Sequence, residues 1–308
     1  MTKPRALRPG DRIGIIAPAS PFDRQTFDRG VAELRTLGFE PVFEESIFER
    51  RAYVAGSAET RGRRFQAAWR DPSTAGVMAV RGGFGSAHLL PLLDPAELGR
   101  SPKALIGCSD LTALHTFLTQ QCGLVTLHGP MVVTLARGEA GYDRESLLAH
   151  LTGRRPPHSV VAGELAATRA GRARGPLLGG TLSLLAASLG TRYAFDPPDG
   201  HILLLDDIGE RPYRLDRLLT QLRQAGILAR AGGVVCACFP DCDEPDGSLT
   251  AHDALDELLA DIRGPVVRGL PTGHTAGAPM LTVPLGVEVT VEAEGATGRL
   301  TVEEEAVA

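Results

Sequence analysis

The stretch Ala104-Leu-Ile-Gly-Cys-Ser-Asp-Leu-Thr-Ala-Leu-His-Thr-Phe-Leu118 decides how this chain is read. Ala104 to Cys108 is a short apolar run containing Gly107, and from Asp110 onward Leu111, Leu114, Phe117 and Leu118 recur at helical spacing. That predicts a strand, a sharp turn and a helix, with Ser109 on the turn. Asp110 opens the helix, where a carboxylate is favoured by the dipole and the first N–H groups have no intrahelical partner. A serine held there projects its hydroxyl above the sheet, and the N–H that follows can help hold an oxyanion, as in a nucleophile elbow. The match to G-x-S-x-G is incomplete, because Leu111 stands where the second glycine belongs. An N-capping role for Ser109 is therefore the competing reading.

Outward from this stretch, short strand patterns at Ile13–Ala17, Pro41–Glu44, Val77–Val80 and Leu124–Leu127 alternate with helical patterns. One helix carries Phe27, Val31 and Leu34 on one face, and another starts at an N-cap, Ser57, and is closed by Asp71-Pro72. Strands alternating with helices imply a parallel sheet covered on both faces. From about residue 137 to 175 the texture turns to Gly, Arg and Pro, as in Gly153-Arg-Arg-Pro-Pro157, with one short helix near Ser146–Leu151. This reads as a crossover between domains. The second half resumes with Gly179-Gly-Thr-Leu-Ser-Leu184, strands at Ile202–Leu205, Gly233–Phe239 and Val266–Leu270, and helices at Tyr213–Ala225 and His252–Ile262. The expected fold is α/β in two lobes: an N-terminal parallel-sheet, Rossmann-like domain over 1–155, and a smaller C-terminal α/β domain over 170–308 with a β-rich tail from Leu281 to Val302.

A formal net charge of -5 with scattered arginines argues against a nucleic-acid partner, which would demand a concentrated basic face. No run approaches the roughly 18–20 apolar residues of a membrane span, and Ile13–Ala17 is shorter than a secretory h-region. Five cysteines, an odd number, do not read as a disulfide framework, so a reducing, cytoplasmic location is expected.

On a parallel sheet, functional groups collect in loops at the carboxyl ends of strands. Four loops qualify: Arg81-Gly-Gly-Phe-Gly85, Gly107-Cys-Ser-Asp110, Asp206-Asp-Ile-Gly-Glu210 and Pro271-Thr-Gly-His-Thr-Ala-Gly277. The first lacks the lysine and spacing of a phosphate loop. Beside a nucleophilic serine, however, its glycines can bring an N–H close to a reacting carbonyl. His274 lies in a loop too rich in Gly and Thr to be core. Its rivals as base are His115, which at the sixth position after Ser109 is expected to point away from the turn, and His128, a possible pocket residue. Glu210 reads either as a first-turn carboxylate or as the acid that orients His274, with Asp206 and Asp207 competing for that role. Cys236, Cys238, Cys242 and His252 carry little weight as a metal set, since C-x-C in an apolar strand is not a zinc knuckle. No metal and no cofactor are expected.

Together these loops resemble the LD-carboxypeptidase family, serine peptidases that include the microcin-immunity peptidases. The resemblance rests on Gly10-Asp-Arg-Ile-Gly-Ile-Ile-Ala-Pro-Ala-Ser20, Arg81-Gly-Gly-Phe-Gly85, Gly107-Cys-Ser-Asp110, His128-Gly-Pro-Met131, Gly179-Gly-Thr-Leu-Ser-Leu184, Asp206-Asp-Ile-Gly-Glu-Arg-Pro-Tyr213 and Leu270-Pro-Thr-Gly-His274, in order along nearly the whole chain. It implies a Ser-Glu-His triad, mapped onto Ser109, Glu210 and His274, and an oxyanion hole placed at the N–H groups of Gly83 and Asp110. It also implies a two-lobed architecture with the site in the groove between lobes. The implied substrate is a cytoplasmic murein tetrapeptide, which loses its terminal D-alanine; the immunity branch instead cleaves peptide–nucleotide or aminoacyl-adenylate antibiotics. Arg81 and Gly82, with Thr181 in place of the family's frequent Asn, are candidate substrate-binding residues. Arg81 suits a terminal carboxylate by its planar fork. A homodimer is the expected assembly. A non-catalytic murein-peptide binding module is the alternative of another class.

Overall fold

The computed structural model describes residues 1–154, 159–275 and 277–308. The chain divides into two compact units: Met1–Arg155 with Gly277–Pro284 and Glu305–Ala308, and Pro156–Ala276 with Leu285–Glu304.

In the first unit β1 (Arg12–Ile16), β2 (Glu40–Val42), β3 (Thr74–Ala79), β4 (Ala104–Gly107) and β5 (Thr126–His128) alternate with helices. The helices are α1 (Arg24–Thr36), α2 (Ala58–Arg70), α3 (Pro95–Arg100), α4 (Thr112–Gln121), α5 (Val132–Leu135) and α6 (Arg144–Thr152). Caps fix where the longer ones begin: Asp23 accepts the Thr26 N–H at 2.7 Å, Ser57 that of Thr60 at 3.2 Å and Asp143 that of Ser146 at 2.6 Å. Strands β2, β1, β3, β4 and β5 run parallel side by side. All four residues of β4 are buried, as a strand covered on both faces requires.

The second unit contains β6 (Ser159–Arg169), β7 (Gly171–Thr181), α7 (Leu182–Ser188), β8 (Ile202–Asp206), α8 (Pro212–Gln224), α9 (Ile227–Arg230), β9 (Gly233–Cys236), α10 (Ala251–Leu258) and β10 (Val266–Arg268). The tail adds β11 (Val283–Leu285), β12 (Glu288–Glu294) and β13 (Thr297–Val302). Strands β10, β6, β13, β12, β7, β8 and β9 close into a barrel, with β7–β8–β9–β10 parallel. Leu178, Leu182, Leu185, Leu203, Leu205, Leu215, Leu219 and Leu222 belong to its buried apolar cluster.

Two expectations change. Residues 159–175 are not a crossover but lie in β6 and β7, both eleven-residue barrel strands; residues 155–158 of the expected crossover lie outside the described residues. The arginines that gave β7 its linker texture sit on its outer face, where Arg172 and Arg174 pair with Glu292 (3.3 Å) and Glu288 (3.5 Å) of the neighbouring β12. The tail also divides: β12 and β13 stay in the barrel, while β11 and the last residues belong to the first unit. β11 joins the edge of the first sheet beside β5, and Ala308 exchanges backbone hydrogen bonds with Pro4 and Ala6.

Candidate active site

Each unit carries some of the candidate residues. In the first, β4 runs into a short 3₁₀ turn at Ser109–Leu111 and then α4. Ser109 has φ 62°, left-handed backbone that a non-glycine residue rarely adopts. Such a conformation costs on the order of 1–3 kcal/mol and persists where its surroundings hold it. Ser109 is not itself the N-cap: that of the turn is Cys108 and that of α4 is Leu111, neither with a side-chain cap bond. The turn is braced from below. The Gly107 carbonyl accepts the Gly129 N–H at 3.1 Å and lies 2.8 Å from Nε2 of His115. Because a carbonyl only accepts, that nitrogen carries the proton, and Nδ1 accepts from the Thr126 hydroxyl at 2.9 Å. His115 thus reaches back under the turn instead of pointing away from it. Complete burial, with a smaller contribution from His128, pulls its pKa down to about 3. His128 is buried at the end of β5.

The glycine loop after β3 lies against the serine. A Cβ on Gly82 would stand 2.9 Å from Ser109 Cβ, 3.0 Å from its Oγ and 3.2 Å from the Asp110 nitrogen, so only glycine leaves this space open. Gly83, at φ 103°, is pinned beside Ser20: a Cβ there would lie 2.7 Å from Ser20 Cβ. Ser20 donates its N–H to the Gly82 carbonyl (3.3 Å) and its Oγ accepts the Phe84 N–H (3.1 Å). Ser20 escaped the sequence reading as a site residue, although it ends the opening motif at the carboxyl side of β1. The Asp110 carboxylate accepts the Ser86 N–H at 2.7 Å, and the Asp110 carbonyl accepts the Ser86 hydroxyl. Elbow and glycine loop are therefore bonded to each other, with the Gly83 and Asp110 N–H groups free of backbone carbonyl partners among the described residues. Arg81 is exposed and donates to the Pro21 carbonyl at 3.3 Å.

In the second unit β7 and β8 run in register, with Thr181 opposite Asp206 at their ends. Asp206 is fully buried. Its Oδ2 lies 2.8 Å from His274 Nδ1, and its Oδ1 accepts the His274 N–H at 3.0 Å. A carboxylate only accepts, so Nδ1 carries the proton and the tautomer leaves Nε2 able to take one. Burial lowers the His274 pKa, but the hydrogen bond and charge of Asp206, with the charge of Asp207, outweigh it and leave the pKa raised. Thr181 donates to Asp206 Oδ2 at 3.5 Å. Gly273, at φ 65°, packs on the same carboxylate; a Cβ there would overlap it, at 2.7 Å from Oδ1.

This geometry differs from the Glu210 expectation. Of the three acids in the loop, Asp206 holds the imidazole. Asp207 is spent on the N–H groups of Ser183 (2.8 Å) and Ile208 (2.9 Å), and burial pushes its pKa up to about 6. Glu210 lies four residues on, its carboxylate 3.7 Å from Arg214. The last strand residue aims into the loops while its successor turns to α7, a distinction that three acids within five positions do not reveal in sequence. Gly273 was likewise missed.

Among the described residues no group of three or more His, Cys, Asp or Glu is placed to hold a metal ion. Cys238 and Cys242 instead make sulfur contacts with the carbonyls of Leu270 (3.6 Å) and Pro240 (3.4 Å), and burial pushes the Cys236 thiol up to about 12. Among the described residues no helix is long and apolar enough to cross a membrane.

Comparison with known proteins identifies the family. Residues 13–129 match the LD-carboxypeptidase N-terminal domain and residues 174–291 the LD-carboxypeptidase C-terminal domain. The murein tetrapeptide carboxypeptidase of Pseudomonas aeruginosa is 33% identical over 273 residues, covering 86% of this chain and 88% of its own. The crystal structure of muramoyltetrapeptide carboxypeptidase from Oxalobacter formigenes is 29% identical and superposes with a TM-score of 0.84, covering 96% of this chain and 99% of that one. The microcin C7 self-immunity protein MccF of Escherichia coli is 26% identical over 93% of this chain and 92% of its own. A structure of MccF superposes with a TM-score of 0.89 over 100% of both chains at 22% identity, a likeness of fold.

Proposed function

This chain belongs to the LD-carboxypeptidase family of serine peptidases, and we propose that Ser109 is its nucleophile, His274 the general base and Asp206 the acid that orients the histidine. The observation that carries the reading is Ser109 itself: a left-handed, non-glycine residue at a strand-to-helix turn, with Gly82 cleared of any side chain beside its hydroxyl. Ser109 Oγ attacks the carbonyl carbon of the substrate's last amide as His274 Nε2 takes its proton. The N–H groups of Gly83 and Asp110 receive the developing oxyanion. The C–N bond then breaks, the proton passes from His274 to the departing amine, and water deprotonated by the same histidine hydrolyses the ester.

The substrate we assign is a murein tetrapeptide, cut at the amide between its L-centred diamino acid and the terminal D-alanine, in the cytoplasm during peptidoglycan recycling. The names of the Pseudomonas and Oxalobacter relatives support this. The antibiotic-cleaving alternative draws on the likeness to MccF. Against it, the only tryptophan, Trp69, is 1% exposed, stacked on Phe65 and hydrogen-bonded to Leu98, so no indole is open to stack on a nucleobase. The five free cysteines suit a reducing compartment. Arg81 is the proposed receiver of the substrate's free carboxylate, Gly82 and Thr181 line the substrate's path, and a homodimer is the proposed assembly. The test is incubation with murein tri-, tetra- and pentapeptides and mass measurement of the products. Release of alanine from the tetrapeptide alone supports the assignment; an untouched tetrapeptide beside a cleaved aminoacyl-nucleotide overturns it.

A further inference from the structure

Arg61, on α2, is a cation in the interior of the first unit, 2% exposed. Burying a guanidinium is costly unless its donors are matched. Here the matching groups are uncharged. Nε donates to the Gly56 carbonyl at 3.2 Å, and Nη1 to the carbonyls of Gly85 (2.7 Å) and Pro18. Nη2 faces His88 Nδ1 at 3.1 Å. Guanidinium nitrogens only donate, so Nδ1 of His88 accepts and its ring proton sits on Nε2. Burial lowers the Arg61 pKa, partly countered by the charge of Asp110.

These partners are not scattered. Pro18 follows β1, Gly85 closes the glycine loop after β3 and Gly56 precedes α2, so one side chain joins three segments at the carboxyl side of the sheet. Gly85, at φ 122°, is shaped for this contact: a Cβ there would stand 2.9 Å from Arg61 Nη1. The next residue, Ser86, is bonded to Asp110 through both its N–H and its hydroxyl. The chain of contacts thus runs from Arg61 through Gly85 and Ser86 to Asp110, beside the nucleophile.

We infer that Arg61 is a positioning residue for the oxyanion site: it fixes the Gly82–Gly85 loop over Ser109 and keeps a desolvated positive charge beneath the place where negative charge develops. The inference rests on the reading of Ser109 as nucleophile. Because loop position and charge matter most in the transition state, the loss falls on kcat and not on KM.

The test compares Arg61→Met and Arg61→Lys with wild type on the murein tetrapeptide, and measures inhibition by a tetrapeptide boronic acid, which mimics the tetrahedral oxyanion. Arg61→Met lowers kcat by about 10²-fold with KM changed less than about threefold, and weakens the boronate by a similar factor. Arg61→Lys keeps charge but not the fork, and falls between. Reduced stability with kcat and boronate affinity of the folded protein unchanged overturns the inference. If Arg61→Met does not fold, His88→Leu decides, because His88 is exposed: a kcat loss of several-fold at constant KM supports the role, and an unchanged kcat overturns it. Failure of the underlying reading is separate, since wild-type protein would then bind no boronate at Ser109 whatever residue 61 is.

Discussion

The carboxylate of Asp206 meets His274 twice, through Nδ1 at 2.8 Å and through the backbone N–H at 3.0 Å. One contact sets the tautomer and the other fixes the loop that carries the ring. Asp206→Asn is therefore expected to lower kcat by about 10³–10⁴-fold, the range set by losing an orienting carboxylate. Glu210→Gln, which disturbs a 3.7 Å contact with Arg214, changes kcat less than about fivefold. Steady-state kinetics on the two variants check the assignment, and equal losses would return the role to Glu210.

Asp206 also sets the pH dependence. A base must be neutral, and the His274 pKa is raised above its ordinary 6.5, so the acid limb of kcat/KM lies above pH 6.5 and activity falls as pH drops through it. The linked stability has the opposite sign: it is fully present below 6.5 and lost as pH rises through the folded-state pKa. In Asp206→Asn the partner's charge is gone and burial remains, so the limb of the residual activity moves to lower pH. A limb that stays in place would show that another group titrates.

Two glycines are expected to be intolerant for different reasons. Gly82→Ala puts a methyl 3.0 Å from Ser109 Oγ, and Gly273→Ala drives one into the Asp206 carboxylate at a residue with φ 65°. Both should lower kcat by at least about 10²-fold, the scale of a lost oxyanion contact or displaced catalytic group. Near-native thermal melting of Gly82→Ala beside that loss is the result to look for. Wild-type turnover in it would remove the loop from the site.

The strand, turn and helix around Ser109 were legible in sequence because a four-residue apolar strand and a helical repeat flank the serine, and those periods depend on local chain alone. The loop position of His274 was legible because its surroundings are too rich in glycine to be core. The choice among Asp206, Asp207 and Glu210 was not, since it depends on which side of β8's end each faces and on Gly273, 67 positions further on, leaving room for the carboxylate. The barrel was hidden for a related reason: β6 closes it by pairing with β13 and β10, far along the chain. The outer arginines of β7 also disguise a strand as a linker.

Recognition of the substrate's end is assigned to Arg81, which is exposed and bonded only to the Pro21 carbonyl among the described residues. Arg81→Met should reduce cleavage of free-acid peptides by at least about tenfold more than cleavage of the same peptides amidated at the C-terminus, because a charge-assisted contact is lost only in the first case. Equal losses on both would place the carboxylate elsewhere.

Attack by Ser109 leaves a covalent acyl-enzyme. Intact-mass measurement after treatment with a small serine-reactive acylating agent, followed by peptide mapping, detects it. One adduct on Ser109, absent in Ser109→Ala and slowed in Asp206→Asn, is the predicted result. No adduct, an adduct on another serine, or near wild-type peptide cleavage by Ser109→Ala would contradict it.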